Sequence, residues 1–488
     1  MKNLIAYPNL TDLPKRSALR LYSPATQGNS FWLDGFPSST PDGADWVTRL
    51  VQMIEEWGVI GMTTNQTLFK QLMEAGVLDE QIKLLKKEGR TAEQTYSILY
   101  NEVAVHAAKI FSAVHAQWPW EGRVSQEASA LLTQLEPLVR DIRRIAKAME
   151  KVGSFTKIPN LSIGPQAIQK AVIEGTATSG AFPMQQVHPN ITLVFSDRHY
   201  IQTVEAYVVG LSKRVENLRR QGFPEDTVCQ DVSQIYSVNS LFVSRVDRVV
   251  DPMIEDAIQK STTGSVRDRL RMIKGKVAVA QTKKIHQMFE AIFLEAPFSD
   301  EDKLYADQEG MAMLSTIWRL KDAFNVLKIL GAHPQRHLVA SSGVKSDQPY
   351  SKLLYVLPFL GPWTANTAPE GTLEHVTHFM ESLSDQDVAA LRLRNLMREP
   401  LPAIPTDEDP QKWDQILLMT LLDRQSKGIL ELTPGQILKD FHELVLAPRG
   451  TTLRDLCDAI RDKGAESFSS DEKATLDAIR SKFQTVLV

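Results

Sequence analysis

Asn190–Ser196 reads NITLVFS, and Arg198–Arg220 follows as RHYIQTVEAYVVGLSKRVENLRR. The first stretch is short, β-branched and aromatic, which is the composition of a buried strand. The second carries apolar residues at helical spacing. One strand handed directly to one helix is half of a βα unit, and the handover recurs on both sides. Toward the N-terminus the candidate strands are Ser154–Ile158 (SFTKI), Arg123–Glu127 (RVSQE), Val59–Thr63 (VIGMT) and Ser30–Asp34 (SFWLD). Toward the C-terminus they are Ile235–Val243 (IYSVNSLFV), His337–Ser341 (HLVAS) and Thr364–Thr367 (TANT). Helical patterns lie between them at Thr91–Gln117, which opens on the capping-box sequence TAEQ, at Ala128–Val152 and at Val266–Leu294. Eight strands alternating with helices predict an α/β fold of parallel βα units. The count fits a (β/α)8 TIM barrel. A doubly wound open sheet satisfies the same alternation.

Outside this frame the first 25 residues, rich in Pro, Ser and Asn, read as an arm. After Pro369 the strand signals stop, and residues 370–488 read as helices broken by the loop Arg398–Pro410, REPLPAIPTDEDP. The 488 residues are 43% hydrophobic and 23% charged, a globular composition that excludes disordered, collagen-like and coiled-coil rods. A net charge of −4 gives no bias toward nucleic acid or a membrane surface. Cys229 and Cys457 are the only cysteines. Two cannot build a disulfide framework or a Cys-based zinc cluster, and such usage suits a reducing cytoplasm. No apolar run has the length of a membrane span, about 20 residues.

In a barrel, catalytic groups come from the C-terminal ends of strands. Those ends carry Asp34, Asn65, Glu127, Lys157, Asn190 with Thr192, Ser240 with Arg245, and Ser341 with Lys345. Lys157 sits among apolar and β-branched neighbours in SFTKIP. Desolvation there favours a neutral amine, which can attack a carbonyl and form a Schiff base. The plain alternative is a strand-end lysine snorkelling to water. Asp34 and Glu127 suit proton transfer, or else a turn and a helix cap. Arg245 and Lys345 suit a phosphate, or else are solvated charges. His106, His115, His188 and His199 lack metal-ligand spacing. G-x-S-x-G, G-x-G-x-x-G and Walker A sequences are absent.

Seven blocks in order resemble one family. They are TTN (Thr63–Asn65), VSQE (Val124–Glu127), TKIP (Thr156–Pro159), NITLVFS, SLFVSRVD (Ser240–Asp247), ASSGVKSD (Ala340–Asp347) and NTAPEGTL (Asn366–Leu373). Together they look like transaldolase in its longer bacterial form, over about residues 31–383, and LRDLCDAIRDKGAESF (Leu453–Phe468) resembles that family's final helices. The resemblance implies a barrel over 26–383, a helical insertion with a Pro-rich loop over 384–450, and C-terminal helices over 451–488 packing on the barrel. It also implies transfer of a dihydroxyacetone unit between ketose and aldose phosphates, with no metal or organic cofactor, by a monomer or homodimer. Carried over by motif, Lys157 resembles the Schiff-base lysine and Asp34 the acid/base at the C4 hydroxyl. Glu127 and Thr192 match the pair that positions water, and Asn65 and Asn190 match residues that bind the dihydroxyacetone hydroxyls. Ser240 and Arg245 match the phosphate site, and Lys345 stands where shorter members carry arginine. The chain departs from the family in three places: Gln66 replaces a proline, Asn160-Leu161 replaces Ala-Thr, and Thr176–Pro189 replaces a short turn. Rival readings are a Schiff-base aldolase with another donor and an inactive barrel serving as a scaffold.

Overall fold

The computed structural model describes residues 18–37, 45–159, 163–174, 186–297, 308–346, 348–403, 413–416 and 431–485. Eight parallel strands close into a barrel in chain order. They are β1 (Ser30–Asp34), β2 (Met62–Thr63), β3 (Val124–Glu127), β4 (Ser154–Pro159), β5 (Pro189–Val194), β6 (Val238–Phe242), β7 (Arg336–Ala340) and β8 (Thr364–Ala368). β8 returns to β1 through pairs from Ser30↔Ala365 to Leu33↔Ala368, which excludes the open sheet. Strand residues are buried on both faces, because helices cover the outside and side chains fill the inside.

The strands match the expected set with shifted ends. β2 is the shortest, yet Ile60 N–H still donates to Phe31 O (2.9 Å) and Leu33 N–H to Gly61 O (3.0 Å), so the ladder to β1 begins earlier. A Cβ on Gly61 would lie 2.6 Å from the Trp32 indole, so only glycine lets this strand pass the ring. The helix expected over Thr91–Gln117 forms as Ala92–Ile110 and Ser112–Gln117, and both halves of the Thr91/Gln94 capping box are made. The pattern over Ala128–Val152 yields a helix only at Leu135–Ala148. Val266–Leu294 splits into Gly264–Ile273 and Val277–Phe293, broken at Gly275, whose φ is 73°.

One expectation is corrected after Pro369. Strands do not stop there: β9 (Leu401–Pro402) and β10 (Glu431–Leu432) form an antiparallel pair. Each is two residues long, too short to leave an alternating pattern. Where several C-terminal helices were expected, a single helix runs from Leu453 to Thr485. It packs along the helices Gln66–Glu74, Asp79–Lys87 and Ala92–Ile110. At the other end of the chain, Ala18, Leu19, Leu21 and Tyr22 join the core. Asn160-Leu161, residues 176–185 and residues 404–410 of the Pro-rich loop lie outside the described residues.

Candidate active site

A cavity of about 710 Å³ opens at the C-terminal end of the barrel. Asp34, Asn65, Lys157, Ser240, Arg245 and Lys345 line it, brought together from five strand ends and one helix start. Glu127, Asn190 and Thr192 are absent from its wall. They lie fully buried in the layer behind it. Strand register puts Glu127 and Asn190 on either side of Lys157, and Thr192 beside Pro159.

Two hydrogen-bonded sets fix the polar groups. In one, Ser240 Oγ donates to Asn190 Oδ1 (2.7 Å), and Asn190 Nδ2 donates to Ser125 Oγ (2.8 Å). In the other, Thr63 Oγ1 donates to Asp34 Oδ1 (2.9 Å) and lies 2.8 Å from Thr367 Oγ1. Lys157, only 4% exposed, donates from Nζ to Thr64 O (3.2 Å). Glu127 differs from all of these. Neither of its carboxylate oxygens has a hydrogen-bond partner of normal geometry among the described residues, nor does Thr192 Oγ1. Burial pushes the Glu127 carboxyl up to about 7, against the opposing pull of nearby Lys157.

β5 carries a register shift between Ile191 and Val194, with Leu193 at φ 61°, a left-handed conformation that a branched side chain rarely adopts. The bulge turns Leu193 toward the C-terminal helix. A Cβ on Gly464 would sit 3.1 Å from both Leu193 Cδ2 and Arg245 Nη1. Glycine at 464 therefore sets how closely this helix approaches the mouth. Phe468, one turn further on, lies between two cations: Lys157 Nζ is 5.4 Å and Arg245 Cζ 5.6 Å from its ring centre. Arg245 Cζ is also 5.2 Å from the Phe242 ring.

The helix is held over the mouth at both ends of this contact. Before it, Arg454 pairs with Asp197 (2.7 Å), and Asp458 takes both Arg198 (2.9 Å) and His199 Nε2 (2.6 Å). Phe195 N–H donates to His199 Nδ1 (3.3 Å), and His199 Nε2 faces both Asp458 Oδ1 (2.6 Å) and Arg461 Nη1 (3.0 Å). After it, Glu472 accepts from Ser129 Oγ (2.7 Å) and Ala130 N–H (2.8 Å).

The cavity wall also holds Arg248, Lys463 and Phe468, which the strand-end reading missed. Arg248 was within reach, because it follows Arg245 by one helical turn in SRVDR. Lys463 and Phe468 enter only through helix docking. Among the described residues, five cationic side chains, Lys157, Arg245, Arg248, Lys345 and Lys463, face one lining carboxylate, Asp34. In a chain of net charge −4 that concentration marks a site for an anion. Of the histidines, His106 packs edge-on against Trp46, 5.6 Å between ring centres, and His199 belongs to the helix anchor.

Comparison with known proteins agrees with this architecture. The family model described as transaldolase/fructose-6-phosphate aldolase matches residues 42–399. The chain is 30% identical over 348 residues to a protein named transaldolase from Saccharopolyspora erythraea, covering 71% of this chain and 78% of that one. It is 29% identical over 350 residues to transaldolase 2 of Streptomyces coelicolor, with 71% and 78% covered. Against transaldolase 2 of a Nostoc species it is 26% identical over 387 residues, or 78% of this chain and 86% of that one. A closed eight-stranded parallel barrel and a family match over most of its length lead to one conclusion: the chain belongs to the transaldolase/fructose-6-phosphate aldolase family.

Proposed function

We propose that this chain is a transaldolase that moves a dihydroxyacetone unit between ketose and aldose phosphates through a Schiff base on Lys157. The reaction assigned is sedoheptulose 7-phosphate plus glyceraldehyde 3-phosphate to erythrose 4-phosphate plus fructose 6-phosphate, in the non-oxidative pentose phosphate pathway. One observation carries the reading. A buried lysine lies in the wall of a cation-lined cavity, with Asp34 in the same wall and an unsatisfied glutamate directly behind.

The steps follow from that arrangement. The Lys157 amine, once it has given up its proton, adds to C2 of the ketose, and loss of water from the carbinolamine gives a protonated imine. Asp34 takes the C4 hydroxyl proton. The C3–C4 bond breaks, its electron pair flows into the imine to give an enamine, and the aldose phosphate leaves. Addition of a second aldose phosphate and hydrolysis of the imine complete the transfer, with ping-pong kinetics. Glu127, in register with Lys157, and Thr192, in register with Pro159, offer unsatisfied polar atoms, and buried atoms of this kind hold a water well. A carboxyl pushed up to about 7 gives and takes a proton readily near neutral pH. Asn65 and Asn190 bind the dihydroxyacetone hydroxyls, with Asn190 oriented by Ser125 and Ser240. Ser240, Arg245 and Lys345 take the phosphate. Phe468 and its helix roof the enamine, and a covered site favours an acceptor sugar over water. We assign the enzyme to the cytoplasm on its unpaired cysteines, as a monomer or homodimer.

Borohydride trapping with fructose 6-phosphate tests this, read by intact and peptide mass spectrometry. The expected result is a stable three-carbon adduct on Lys157. Absence of any adduct on folded protein across a range of pH would overturn the Schiff-base reading. Rapid release of free dihydroxyacetone, unaffected by an acceptor aldose phosphate, would make the enzyme an aldolase instead.

A further inference from the structure

We infer that Lys463, projecting from the C-terminal helix into the rim of the cavity, is a phosphate-binding residue that sets specificity for phosphorylated sugars. The inference rests on the sugar-phosphate reading above and extends it to an element that follows all eight strands in the chain.

Ile460, Lys463, Gly464, Ser467 and Phe468 all line the cavity. Their spacing is i, i+3, i+4, i+7 and i+8, so one face of the helix looks into the barrel mouth. Along that face two landmarks are fixed. Phe468 lies between Lys157, where the imine forms, and Arg245, whereas Gly464, one turn earlier, lies against Arg245 at the phosphate end. Lys463 therefore stands on the phosphate side of the roof, five residues before the ring that covers the imine. Five residues of helix rise by roughly 7.5 Å. That length is comparable to the span from C2 to phosphorus in an extended hexulose phosphate.

The charge of Lys463 is available. It forms no hydrogen bond or ion pair with any described residue, although Asp462 and Glu466 stand near it in sequence. Asp462 is taken by Arg461 (2.9 Å), and Asp471 accepts from Thr67 Oγ1 (2.5 Å). An exposed ammonium at the rim suits a phosphate as a point charge, in contrast to Arg245, whose guanidinium lies 5.2 and 5.6 Å from two ring centres.

Calorimetric titration of inorganic phosphate and of fructose 6-phosphate into the full-length protein tests the assignment. Lys463→Ala should weaken fructose 6-phosphate binding about fivefold, as expected for one partly solvated charge contact, and Lys463→Glu should weaken it further. Lys463→Arg should restore it. Borohydride trapping at saturating fructose 6-phosphate should reach the same extent in all variants, because Lys157 and its neighbours are untouched. Unchanged phosphate and fructose 6-phosphate binding in Lys463→Ala overturns the inference while leaving the transaldolase reading intact. So does a trapping loss that Lys463→Arg fails to rescue, which would make the residue structural. If the unaltered protein binds neither ligand, the sugar-phosphate reading itself falls, and this inference with it.

Discussion

Two glutamates at opposite ends of β3 have opposite fates. Glu121, just before the strand, is fully buried at the floor of the barrel. It accepts hydrogen bonds from Ser30 Oγ (2.5 Å) and Trp32 Nε1 (2.9 Å), and it pairs with Arg336 (2.9 Å), itself 4% exposed. Glu127, the last residue of the strand, is equally buried at the mouth and has no such partners among the described residues. The same residue type at the same depth is therefore a structural tie at one end and, in the mechanism we propose, a proton carrier at the other. Barrels divide labour in this way, with stability at the N-terminal face and chemistry at the C-terminal face. What separates the two is whether the lone pairs are occupied.

Three substitutions press on that contrast. Lys157→Ala should have the largest effect, a loss of transfer on the order of 10⁴-fold or more with the melting temperature nearly unchanged. Full activity in that variant would remove the mouth from the chemistry. Glu121→Ala should do the reverse. It leaves Arg336 buried without its partner, at a cost of about 3–5 kcal/mol in urea or thermal unfolding, while the protein that remains folded turns over normally. A stable but inactive Glu121→Ala would erase the distinction between floor and mouth. Glu127→Gln is the subtlest. We expect kcat to fall by about 10²–10³, with stability preserved.

The pH dependence of Glu127 sharpens the same point. Its folded carboxyl titrates at about 7, above the ordinary carboxylate range that it regains on unfolding. Between those values the unfolded chain has lost the proton and the folded chain has kept it. The stability this group contributes is thus complete below the ordinary range and is lost as pH rises toward 7, about 3 kcal/mol in all. Unfolding of Glu127→Gln, followed from pH 4 to about 8, should lack that slope. An identical slope in both proteins would show that Glu127 does not carry it.

Much of the barrel could be read in the chain. β4, β5 and β6 are rich in β-branched and aromatic residues, and their ends carry Lys157, Thr192 and Ser240. β2 was harder to delimit, because Gly61 is there for the passage of Trp32, a contact across strands that no local pattern records. The break at Gly275 was lost inside a strong helical period. β9 and β10 lie beyond reach for a different reason: two residues hold no periodicity, and their pairing depends on a partner about thirty residues away. Lys463 and Phe468 were invisible as site residues because strand-end logic looks only at the barrel. Their place is decided by Asp197, His199 and Ser129, which anchor the helix from distant parts of the chain.

That anchored helix also has a bearing on how the enzyme comes into being. Chains emerge and fold from the N-terminal side first. All eight strands precede Leu453 in the chain, so the nascent barrel can close while its lysine still faces open water. Only when the segment from Leu453 onward has been synthesised and has docked does the pocket acquire its ceiling. Translation order thereby separates the birth of the proposed nucleophile from the birth of the chamber that covers it. On the Schiff-base reading proposed above, a ribosome-stalled or truncated product would carry the lysine without the cover that governs what meets it.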